Sequence, residues 1–157
     1  MNPTRWILVV HVLSALWLAT GSFAGAVVRA QAKREPGLPG RVAALRVGWR
    51  LVSIFGIPGG VFSGLTGLWL LGPLGYGFKP GWVHVSVTLW LLLLGLNLIY
   101  LAPRLKKTLA AAEASLTAGE PNDELRRLTA PKHPAILADL SALGIVILVV
   151  LMVTRPF

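Results

Sequence analysis

Two stretches of the chain carry the same polar pair in an apolar setting. Val10-His11-Val12-Leu13-Ser14-Ala15-Leu16-Trp17-Leu18 and Val83-His84-Val85-Ser86-Val87-Thr88-Leu89-Trp90-Leu91 agree at six of nine positions, 73 residues apart, and both contain His-x5-Trp. An ionisable ring at membrane depth is expensive and usually faces the interior of a bundle, where something uses its nitrogen. If the match is a duplicated helix hairpin, His11 and His84 sit at similar depth on helices that run in the same direction. Two imidazoles on facing helices form a bis-imidazole site. Haem is the cofactor that best uses one, because each Nε2 binds iron from one face while apolar helices hold the macrocycle and exclude water.

Other residues qualify or extend this reading. With no cysteine in the chain, disulfides, thiolate haem ligation and Cys-based zinc or iron–sulfur sites are excluded. Met152 offers a thioether as an alternative axial ligand. Trp17 and Trp90 carry indole N–H groups that need a partner, or a cofactor edge to pack on. Arg155, with Arg5 and Lys79, has the charge to pair with haem propionates or to attract an anionic substrate. Gly56, Gly59, Gly60, Gly64 and Gly67 permit close approach of another helix or of a flat ligand. Simpler roles exist for each: a hydrogen-bonded interior His11, an interfacial His84, a packed Met152 and arginines that snorkel to headgroups. His133, before Pro134, reads as a solvated loop residue. Copper held directly by His11, His84 and Met152 is an alternative, weakened by the preference of copper(I) for several sulfur ligands.

These residues need elements to hold them, and composition says which. The chain has 157 residues, 55% of them apolar and 13% charged, with a mean hydropathy of +0.70, which excludes a water-soluble globule. Four uncharged runs, Trp6–Val28, Leu51–Leu71, Trp82–Ala102 and Ala135–Thr154, each reach the roughly 20 residues that a helix needs to cross a bilayer. Helix is required because a lipid-exposed backbone must satisfy its own amides, and no strand alternation is present for a barrel. The expected fold is all-α: one membrane domain, residues 1–157, forming a four-transmembrane-helix bundle. The first run is too long for an ordinary cleavable signal.

Twelve of the fifteen Lys and Arg residues lie between the first and second runs or between the third and fourth; Arg5, Lys79 and Arg155 lie on the other side. The positive-inside rule then places both basic loops in the cytoplasm and both termini on the extracytoplasmic side. The basic residues are expected to contact anionic lipid and not nucleic acid. Trp6, Trp69 and Trp82 fall near one interface and Trp49 near the other, as an aromatic belt requires. Ala32–Gly40, with two prolines and two glycines, predicts a plain turn. Thr108–Ala118 extends the third helix, Gly119-Glu120-Pro121-Asn122 breaks it, and Asp123 and Glu124 open a short amphipathic turn with Leu125 and Leu128. Asp139 is expected to pair with Arg50 or Arg104.

The pattern His11…Trp17, Arg50-Leu51…Pro58…Gly67-Leu68-Trp69-Leu70, Trp82-Val83-His84-Val85 and the closing Arg155-Pro156-Phe157 resembles HemJ-type protoporphyrinogen oxidases over most of the chain except one loop. It is similar also to a related family of bacterial integral membrane proteins of unknown function that end in a Met-Val-basic-Pro motif, and more distantly to copper-resistance CopD-like proteins. The resemblance implies a four-helix haem b protein of the bacterial cytoplasmic (inner) membrane with His11 as axial ligand. It departs at Ser86, where HemJ proteins usually have Lys, and at the start of the last span, where their Asn-Glu-Val-Pro has no counterpart beyond Asp139.

The expectation is therefore a haem b membrane protein that passes electrons at the extracytoplasmic side, with His11 and then His84 or Met152 as ligands. Its partners would be the bilayer, a quinone or redox protein, and a second copy in a homo-oligomer. The alternatives are an oxidoreductase of HemJ type, a copper-handling protein and a cofactor-free accessory subunit.

Overall fold

The computed structural model describes residues 3–156, so Phe157 of the closing motif lies outside the described residues. Helix α1 spans Pro3–Arg34, α2 Leu38–Arg50, α3 Ile57–Leu70, α4 Gly81–Gly95, α5 Ala102–Ala118, α6 Asp123–Thr129 and α7 His133–Thr154. Two π-helical turns, Leu51–Gly56 and Leu96–Leu101, join α2 to α3 and α4 to α5 without a break. The described residues thus form four helices long and apolar enough to cross a membrane: Pro3–Arg34, Leu38–Leu70, Gly81–Ala118 and His133–Thr154. The all-α expectation and the number of spans hold.

The π turns have a cause in the sequence. Pro58 and Pro103 each follow the last π residue by two positions. A proline inside a helix lacks an N–H and its ring collides with the carbonyl four residues earlier. Widening the preceding turn by one residue relieves that collision and keeps the helix continuous.

The spans form a ring. α1 packs on α3 and on α7, α4 packs on α3 and on α7, and the first and third spans stand on the diagonal. The second and third spans reach 33 and 38 residues, well beyond the roughly 20 needed to cross the hydrocarbon, so their excess stands out at the end that carries the basic loops. There α2, α5 and α6 build a small core of their own from Val42, Leu109, Ala111, Ala112 and Leu125, with Leu38, Leu45, Trp49 and Leu128 against it. Arg46 donates to Glu113 across it at 2.7 Å. Asn122 caps α6: its Oδ1 accepts from the Leu125 N–H at 2.8 Å, and its own N–H donates to Ser115 Oγ.

This basic cap differs from the expectation in one respect. The turn expected over Ala32–Gly40 shrinks to residues 35–37, because α1 runs on to Arg34 and α2 begins at Leu38. The extension of the third helix through Ala118, the break and the short helix opened by Asp123 all form.

Candidate functional site

His11 sits on α1, where the second span comes close. Its Nδ1 lies 2.9 Å from the Ser63 carbonyl oxygen and 3.2 Å from Thr66 Oγ1. A carbonyl can only accept, so Nδ1 carries the proton, and the hydroxyl of Thr66 itself donates to the Phe62 carbonyl at 2.6 Å. This fixes the tautomer. Nε2 is left with a lone pair and no hydrogen bond among the described residues, the form in which a histidine binds a metal while its other ring nitrogen is held by a carbonyl. Gly67 makes room for the ring: a Cβ there would stand 3.0 Å from His11 Cε1.

His84 is placed differently. Its side chain is exposed and its ring lies 6.5 Å from that of Phe78 in the loop before α4. The inward face of α4 is made by Val83 and Ser86, both buried, and by Trp90, whose indole N–H donates to the Gly60 carbonyl at 2.9 Å. On α1 the inward face is Ser14, Gly21 and Gly25, with His11, and Trp17 is exposed with its ring edge against Phe55 at 5.9 Å. The two copies of the motif are therefore turned relative to each other. In the first, His points in and Trp out; in the second, Trp points in and His out. One helical residue is a turn of about 100°, so a one-residue shift of the buried face suffices. The structure does not bring His11 and His84 onto a common interior surface.

At this level α4 instead presents Ser86, 5% exposed, whose Oγ has no hydrogen-bond partner among the described residues. Ser86 is about one turn from Trp90 toward the end that carries the termini, as Gly67 is from Gly64. Its only signal in the sequence is the departure from the HemJ pattern. Met152 is half-buried near the end of α7. Arg155, in a left-handed backbone conformation after that helix, donates to the Tyr76 hydroxyl and lies over its ring, 4.8 Å from the centroid.

Gly59, Gly64 and Gly67 of the second span are filled by neighbours. A Cβ on Gly59 would collide with the backbone of Leu18, one on Gly64 with the Trp90 indole, and one on Gly21 of α1 would meet Gly56 N at 2.5 Å. They serve close helix packing and not an open slot at these positions. Asp139 pairs with Arg29 at 2.8 Å, not with Arg50 or Arg104. α1 and α7 are neighbours, and Arg29 is the cation that α1 offers at that depth. Tyr100 stacks on His133, and Arg104 donates to the Leu128 carbonyl.

Among the described residues no group of three or more His, Asp or Glu side chains is arranged to hold a bare metal ion. Comparison with curated proteins and with solved structures finds no match. The profile of a family of predicted integral membrane proteins, DUF2269, matches residues 5–156, and with nearly the whole chain covered, this multi-pass membrane protein belongs to that family.

Proposed function

We propose that the chain is a haem b-binding redox protein of the bacterial cytoplasmic membrane, with His11 as the indispensable axial ligand. The observation that carries this reading is the lock on the His11 tautomer: Nδ1–H held by the Ser63 carbonyl at 2.9 Å, Nε2 free inside a membrane span. The orphaned Ser86 hydroxyl at the same level is a second polar atom without a hydrogen-bond partner among the described residues. Bound there, haem would supply one-electron chemistry; the chain's own residues fix the ligand and keep water out. His84 and Met152 are the two candidates for the opposite face. Because His84 lies on the exposed side of α4, His11 alone is assigned.

The charge pattern supports basic loops in the cytoplasm and termini outside, which puts His11 in the extracytoplasmic half of the bilayer, where electrons would pass to or from a quinone or a redox protein. A HemJ-like oxidase is less well supported: Ser86 is buried where a basic group is needed, and Arg155 is engaged by Tyr76.

The test is the reduced-minus-oxidised absorption spectrum and pyridine haemochrome of the protein purified from haem-replete cells. Wild type is expected to carry haem, His11→Ala to lose it and His84→Ala to retain it. A colourless wild-type protein overturns the proposal, and loss of haem in His84→Ala overturns the assignment to His11 alone.

A further inference from the structure

At the basic end of the bundle a cavity of about 410 Å³ opens among all four spans, a size within the usual range for small-ligand pockets. Gly21, Gly25, Ala44, Gly48, Gly56 and Ala138 leave its walls without bulky side chains. Arg29, Lys33, Arg41 and Arg104 line it and no carboxylate does. Of the four, Arg29 alone has an acid partner among the described residues, the exposed Asp139 at 2.8 Å. Arg104 donates to the Leu128 carbonyl at 2.8 Å and Arg41 to that of Glu35 at 3.5 Å, while Lys33 is exposed. Both π turns open onto the cavity, the first through Val52 and Gly56, the second through Asn97 and Leu101. Such turns are frequent at functional sites.

We infer that this cavity holds an anionic phospholipid of the surrounding membrane, its phosphate among Arg41, Arg104 and Lys33 and one hydrocarbon chain along the glycine and alanine wall. A neutral ligand would leave three cations unanswered, and a single carboxylate would answer one. A phosphate accepts from several donors at once, and the planar guanidinium matches it in two-point contact. Basic pockets between membrane helices are suited to lipid headgroups. The inference is independent of the haem reading, since His11 lies ten residues from Gly21, about 15 Å along α1.

Native mass spectrometry of the full chain, delipidated and offered phosphatidylglycerol or phosphatidylcholine, tests it. Wild type is expected to keep one phosphatidylglycerol and to release phosphatidylcholine. Arg41→Gln with Arg104→Gln should weaken that retention by about tenfold or more. Ala138→Phe, which fills the wall and keeps every charge, should weaken it too. Equal retention of the two lipids by wild type overturns the inference even if neither variant folds. Full displacement by inorganic phosphate, with Ala138→Phe unaffected, overturns it in favour of a free-anion site.

Discussion

At the scale of single residues, the bundle is set by what glycine lets come near. The Trp90 indole lies over Gly64 and donates to the Gly60 carbonyl, so Gly64→Ala drives a methyl group into the ring. Overpacking of this kind costs about 1–3 kcal/mol, and the variant should melt at lower temperature in detergent. Trp90→Leu removes the obstacle, so the double variant is expected to lose less than the sum of the two single losses; additivity would mean that the ring and the glycine are not coupled. Gly67 bears on His11 in the same way. A Cβ there would stand 3.0 Å from the ring, so Gly67→Ala requires the ring to give by a few tenths of an ångström and Gly67→Val pushes it further. If His11 holds haem, the valine variant should lose bound haem in the haemochrome assay while remaining folded by circular dichroism, and full haem content in that variant would argue against His11 as ligand.

At the scale of elements, the capping of α6 is open to a direct measurement. Asn122 accepts from Leu125 N–H, donates its backbone N–H to Ser115 Oγ and its amide to the Ala111 carbonyl at 3.3 Å. Asn122→Ala should destabilise the short helix by about 1 kcal/mol and speed tryptic cleavage at Arg126 and Arg127; an unchanged cleavage rate would show that Leu125 in the small core holds the helix by itself. This helix was legible in the sequence because a breaker and an acidic first turn mark its start. The four spans were legible because apolar length alone decides them. Helix α2 was not, because Leu38–Arg50 mixes arginines with small residues and becomes a helix by packing on α5. The facing of His84 was not either. Spacing within a span fixes which residues share a face, but which face turns inward is decided by neighbours such as Gly60 and Gly64, twenty or more residues away. The pairing of Asp139 with Arg29 depends likewise on α1 and α7 standing side by side, which no local pattern encodes.

At the scale of the whole molecule, polarity along the bundle axis organises everything else. One end carries the helical cap, twelve of the fifteen basic residues and the cavity lined by Arg29, Lys33, Arg41 and Arg104; the other carries both described ends of the chain, the loop around Lys79 and, just inside, His11. Lys and Arg resist transfer across the membrane, so the cap end should stay on the cytoplasmic side. The absence of cysteine makes this simple to measure, since one introduced thiol gives an unambiguous label. In intact cells a membrane-impermeant maleimide is expected to modify Lys79→Cys and to reach Ala118→Cys only after permeabilisation. Both positions are exposed, and Lys79→Cys removes a charge from the minority side, which can only strengthen the bias. The reverse pattern would invert the molecule. His11 would then lie in the cytoplasmic half of the bilayer, and any electron it helped to carry would be exchanged on that side.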